Sequence, residues 1–264
     1  MIEFYSGTPG SGKSLDVAKD IWTKIRISKG NVITNMDVNY EYLRRNFFKF
    51  KINDITMKLF KRKVFKNPYL KNHGRLYKVS NDKLTVDFLL KYAKKFHKKG
   101  VEAQTLVIWD EAQMVFSPTV MKLKNQEDKH YRVNWLNFFT KHRHLGFNII
   151  MISQFDRLID AQVRCLFEYD IIHRKANNFF GDNPFTMILS LLFGLLRLKM
   201  FVAVTYWYGI RQKLGARFFL FNKKYAKIYD SYKYFEEFED FDSNSNNTPT
   251  KSSVLSSKNK VNRF

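Results

Sequence analysis

Gly7-Thr8-Pro9-Gly10-Ser11-Gly12-Lys13-Ser14, almost at the start of this chain, decides its fold. The spacing G-x-x-x-x-G-K-[ST] encodes a mechanism. Glycines let successive backbone N–H groups turn inward and cradle phosphate oxygens, the lysine reaches the β/γ-phosphates, and the serine offers its hydroxyl to Mg²⁺. Ile2–Tyr5 precedes the loop as a short, largely apolar run and predicts a strand. Leu15–Ile27 follows with apolar residues at Leu15, Ala18, Ile21, Trp22 and Ile25, the spacing of a helix. Strand, loop, helix is the context that separates this motif from an ordinary glycine-rich turn.

Working outward, Leu106-Val107-Ile108-Trp109-Asp110-Glu111 is the expected partner. Thr105–Trp109 reads as a strand buried on both faces. It delivers Asp110 to the Mg²⁺ site, while Glu111, one residue on, is placed to orient and deprotonate an attacking water. The bland alternative is a helix-capping Asp after a core strand. Phe147–Ile152 is a second buried strand, ending in Ser153-Gln154. Gln154 there is either a sensor between the carboxylates and the γ-phosphate or a plain loop residue. Arg143 ends a predicted helix (His130–His144) expected near the same edge, and Arg157 and Arg164 follow the sensor strand. Each is a candidate arginine finger acting on a neighbouring subunit.

The remaining organisation is coarser. Asn31–Asp37 and Phe167–Ile172 predict further strands, and Leu84–Lys99 predicts an amphipathic helix. The 202–208 segment predicts a strand pairing as a hairpin with 218–230. This gives an α/β fold with a mostly parallel central sheet flanked by helices. The expected layout is a phosphate-loop domain over 1–175 with a basic insertion at about 40–75. An apolar segment with a C-terminal β/helical extension follows over 176–242, and a Ser/Asn/Lys-rich tail over 243–264 reads as disordered.

The formal net charge is +22, and Arg44–Lys99 carries 18 Lys and Arg against three Asp. A net +15 over that block suggests a polyanionic partner, nucleic acid or an anionic membrane surface; the alternative is a solvated lysine-rich face. Cys165 is the single cysteine, which rules out an intrachain disulfide and fits a reducing compartment. The chain starts directly on the strand and loop, so no cleavable signal peptide is expected. Phe185–Leu196 is twelve residues, apolar except Thr186 and Ser190, and Arg197 and Lys199 interrupt it before Met200–Ile210 resumes. Twelve is short of the ~20 that a spanning helix needs. The expectation is an interfacial or partner-binding segment at the cytoplasmic face of the membrane rather than a span.

The phosphate loop, Thr34-Asn35, Asp110-Glu111-Ala112-Gln113, and Lys141-His142-Arg143-His144-Leu145-Gly146 running into Ile149-Ile150-Met151-Ile152-Ser153-Gln154 together resemble the zonular occludens toxin family, over roughly residues 1–175. That family includes the assembly ATPases of filamentous phages. The resemblance implies a RecA-like P-loop fold with ATP and Mg²⁺ as cofactors. It implies a homo-oligomeric ring, and partners among single-stranded phage DNA, phage coat and assembly proteins and the host membrane. It implies a motor that assembles and extrudes a single-stranded DNA phage. Many members carry a clear transmembrane helix and an exported C-terminal domain. The interrupted apolar segment departs from that pattern, and the toxin activity is not carried over. The competing readings are a P-loop kinase or other nucleotide switch, against which Glu111 beside Asp110 argues, and a membrane scaffold with a vestigial site, against which the intact Lys13, Ser14, Asp110 and Glu111 argue.

Overall fold

The computed structural model describes residues 1–175 and 199–229. Its centre is an eight-stranded sheet in the order β3-β2-β4-β5-β1-β6-β7-β8. The strands are β1 (Ile2–Ser6), β2 (Asn31–Thr34), β3 (Leu76–Lys78), β4 (Thr105–Trp109), β5 (Phe147–Ile152), β6 (Tyr169–Lys175), β7 (Met200–Trp207) and β8 (Gln212–Leu220). The first six are mutually parallel, whereas β7 and β8 are antiparallel to their neighbours.

Alternation along the buried strands builds two cores. Phe4, Val107, Trp109, Ile149 and Met151 face one side, packed with Phe116, Trp135, Phe138 and Phe139. Tyr5, Leu106, Ile108, Ile150 and Ile152 face the other, packed with Val17, Ile21, Trp22 and Ile25. Every residue of β4 is therefore buried, which is why its sequence is apolar throughout after Thr105.

The helices follow from the same burial. Helix α1 (Lys13–Trp22) buries Val17, Ala18, Ile21 and Trp22 and runs on into a π-helical turn at Thr23–Ile27. The basic insertion forms α2 (Tyr40–Arg44) and α3 (Phe47–Phe60). Next come α4 (Val86–Phe96), α5 (Gln113–Phe116), α6 (Pro118–Glu127), α7 (Tyr131–Lys141) and α8 (Ala161–Arg164).

Two expectations need correction. The hairpin forms, but its second strand is Gln212–Leu220; the stretch beyond it turns helical as α9 (Lys223–Ala226), capped by the Asn222 side chain, which accepts from the Lys224 N–H. The hairpin also continues the main sheet, since β7 pairs with β6 over Tyr169–Lys175. Phe185–Leu196, the acidic run from Glu236 and the tail from Ser243 lie outside the described residues. Among the described residues no helix is long and apolar enough to cross a membrane.

Candidate active site

Because β1, β2, β4 and β5 are parallel, their C-terminal ends reach one edge of the sheet. The 7–14 loop, Asn35, Asp110-Glu111 and Gln154 all gather there. The loop is built around space that only glycine leaves. Gly7 has φ 139°, and a Cβ on it would lie 2.3 Å from the His173 carbonyl oxygen. Gly12 has φ 95°, and a Cβ there would lie 2.8 Å from the Phe201 ring. Residues with side chains would be both strained and obstructed at these positions.

The backbone is pinned from both sides of the loop. The Gly7 N–H donates to the Gln154 carbonyl at 3.1 Å. Lys13 Nζ donates to the Gly7 carbonyl and, at 3.2 Å, to that of Thr8. Lys13 opens α1, so its ammonium and the helix N-terminus supply positive potential to the same cradle. Partial burial pulls the Lys13 pKa down, and the charges of Glu111 and Asp110 pull it back up. The lysine therefore sits in the field of both carboxylates.

Asp110 is held by its backbone. Asn35, just past β2, accepts from the Asp110 N–H at 2.7 Å and donates its side-chain amide to the Asp110 carbonyl at 2.8 Å. Asn81 in turn accepts from the same Asn35 amide at 2.9 Å. Burial pushes the Asp110 carboxyl up to about 6, with the neighbouring Glu111 charge adding to it; the Glu111 N–H, Lys13 and the Tyr229 hydroxyl act in the opposite direction. A half-buried carboxylate beside a second one is a site that gains from a cation, and Ser14 brings a hydroxyl at the start of α1. The residues thus fit Mg²⁺ held by Ser14 and Asp110.

Glu111 is exposed and adopts φ 49°, a left-handed conformation unusual for a residue with a long side chain. Its Oε2 accepts from the Gln113 amide. The Ala112 N–H donates to the Ile152 carbonyl at 2.8 Å, tying this turn to β5. Asn35 and Gln113 hold the Asp110 peptide groups and the Glu111 carboxylate, contacts that residue type and spacing do not announce. Both stood in the quoted family pattern, but only the fold reveals what they touch.

Gln154 lies two residues past the end of β5, the strand between β1 and β4, so it stands between the loop and the carboxylate pair. The arginines separate. Arg143 is not near this edge: it precedes β5, at the opposite end of the sheet, and its guanidinium pairs with Glu168. The error has a plain cause, since a helix that feeds a parallel strand ends at the strand's N-terminal side. Arg164 pairs with Asp156 at 3.9 Å. Arg157 is exposed and lines a cavity of about 730 Å³ together with Gly7, Thr8 and Gln154.

A family model described as Zonular occludens toxin (Zot) matches residues 1–181. Among solved structures, the N-terminal domain of zonular occludens toxin from Neisseria meningitidis covers 87% of this chain and 98% of its own length, at 17% identity and TM-score 0.45. A DnaB-like replicative helicase covers 85% of this chain and 57% of its own, at 12% identity and TM-score 0.50. The DNA-packaging ATPase of Sulfolobus Turreted Icosahedral Virus covers 82% and 95%, at 15% identity and TM-score 0.40. No curated protein matches the chain. The helicase likeness identifies the fold as the RecA-like P-loop type.

Proposed function

The chain belongs to the zonular occludens toxin (Zot) family, and on that premise we propose that it is an ATP-hydrolysing motor for assembly and extrusion of a filamentous single-stranded DNA phage at the host membrane. One observation carries the reading: three adjacent parallel strands, β1, β5 and β4, deliver the phosphate loop, Gln154 and Asp110-Glu111 to one sheet edge. ATP supplies the transferable phosphoryl group, and Mg²⁺ neutralises charge between its phosphates.

The chain's own residues do the rest. Backbone N–H groups of 7–14 hold phosphate oxygens and Lys13 neutralises the terminal ones. Ser14 and Asp110 hold the cation. Glu111 takes the proton from the attacking water, its carboxylate aimed by Gln113. Gln154 reports the terminal phosphate to β5. Arg157, which has no ion pair among the described residues, is the favoured finger in a self-associated ring.

The basic α3 region grips single-stranded DNA, and the apolar 185–196 segment holds the protein at the cytoplasmic face of the membrane, one apolar element plus one basic patch giving attachment. The test is phosphate release from ATP with no acceptor present, at rising protein concentration. Release per subunit should increase as subunits associate. Transfer that requires a small acceptor would favour a kinase instead, and a rate independent of concentration in a monomeric sample would remove the finger.

A further inference from the structure

We propose that the groove between α1 and the end of β8 is the nucleoside pocket of this chain, taking a purine base against Phe221 and Tyr225. The inference rests on the reading that the 7–14 loop binds a nucleoside triphosphate.

Direction comes first. Lys13, Gln154 and Glu111 define where the terminal phosphate lies, because Lys13 serves the β/γ end and a carboxylate beside it activates the water. The 730 Å³ cavity at Gly7 and Thr8 also contains Gln154, so it adjoins that same terminal end. The nucleoside must leave the loop on the other side, past Ser14 toward Leu15.

A groove of about 630 Å³ starts there, lined by Leu15 and Lys19 of α1 and by Phe219, Phe221, Asn222 and Tyr225. That volume is within the ~300–1,000 Å³ usual for small-ligand sites. Its inner wall is continuous with the loop, for the Phe201 ring that closes on Gly12 is stacked on Phe219, with centroids 5.5 Å apart.

The chemistry suits a flat heteroaromatic. Phe221 is 43% exposed, a large ring left facing solvent at the mouth of the groove. Tyr225 backs onto Trp22 edge-on at 6.2 Å. Asn222 spends its side-chain oxygen on the Lys224 N–H, which leaves its NH₂ to donate to a ring nitrogen. Leu15 adds aliphatic surface, and Lys19, Lys223 and the Asp16 carboxylate add charge, giving an apolar body with a few polar groups, as ligand pockets have.

Eight of the eleven residues lining this groove lie beyond residue 181, on the hairpin that starts at Met200 and on the turn and short helix α9 that follow it. The nucleoside would then bridge α1 and the hairpin, so that binding ties the catalytic edge to the strand emerging from the apolar segment.

The experiment measures binding of Mg-ATP and of Mg-tripolyphosphate, which has the phosphates without the nucleoside, to the full chain and to Phe221→Ala, Phe221→Trp and Tyr225→Ala. The expected result is an ATP affinity lowered roughly ten-fold by Phe221→Ala, the worth of about one base–aromatic stack. Tripolyphosphate affinity should be unchanged, and Phe221→Trp should restore ATP binding. Equal wild-type affinity for the two ligands would overturn the pocket and leave the loop reading standing. Equal losses for both ligands in Phe221→Ala would do the same, as would undiminished ATP binding in both alanine variants. Failure of the wild type to bind either ligand would remove the loop reading, and the pocket with it.

Discussion

Asp110 meets two opposed demands: burial at the end of β4 favours its neutral form, while a cation site needs its charge. Its carboxyl is pushed up to about 6, so it holds a proton below that pH and is free to bind a cation above it. Mg²⁺-dependent nucleotide affinity is therefore expected to weaken as pH falls through about 6, and titrations between pH 5 and 8 check this; Asp110→Asn should remove the pH dependence and most of the cation requirement. A pH-independent wild-type affinity would contradict the assignment. The left-handed Glu111 belongs to the same scale. Strained residues persist where surroundings over-determine them, and here Asn35, the Ile152 carbonyl and Gln113 do so. The loop residues and the carboxylate pair were legible in the sequence because their chemistry lies in residue types at fixed spacings. Asn35 was not, because its role is to hold a backbone 75 residues away.

At the scale of elements, β4 is set in place by a side chain from the end of β2. Asn35→Ala removes two hydrogen bonds to the Asp110 peptide groups and leaves them partly buried, a loss of about 1–3 kcal/mol. Turnover should fall more steeply than the denaturation midpoint shifts, since Asp110 moves while the core stays; paired urea melts and phosphate-release assays separate the two. The buried strands were legible as continuous apolar runs, and α1 and α4 as amphipathic periods. The hairpin was legible in kind but not in extent, because β8 is an edge strand with nearly every residue exposed and its boundary carries no burial pattern. Helix α6 escaped notice for a related reason: Met121 is its one buried residue, so it has no apolar stripe, although Ser117 followed by Pro118 is a start signal. Arg143 was misplaced by reading proximity along the chain as proximity at the sheet edge.

For the whole molecule the net charge of +22 and the acids that α1 turns toward the sheet make separate predictions. Helix α3 exposes Phe48, Leu59 and Phe60 among its lysines. Single-stranded DNA binding should weaken steeply with salt as counterions are released, and neutralising lysines between Lys49 and Lys66 should flatten that slope in fluorescence titrations; an unchanged slope would place the DNA contact elsewhere. On the sheet-facing side of α1, Asp20 accepts from the Tyr5 hydroxyl at 2.8 Å. Burial raises its carboxyl from 3.8 to about 7, with the Asp16 charge adding to the rise. The folded chain then binds this proton more tightly than the unfolded one. The contribution is fully present below about pH 4 and is lost as pH rises through about 7. Denaturation midpoints should fall between pH 5 and 8, and Asp20→Asn should flatten that decline. At this scale the sequence showed charge and composition but not which acids the fold would bury together. The central claim, that this sheet edge binds ATP and cleaves it with Glu111 as base, is tested most directly by measuring ATP binding and phosphate release side by side in the wild type, Lys13→Ala and Glu111→Gln. The account predicts that Lys13→Ala loses binding, while Glu111→Gln keeps it and releases phosphate about 10²–10⁴-fold more slowly. Full ATP affinity in Lys13→Ala, or near wild-type turnover in Glu111→Gln, would contradict it.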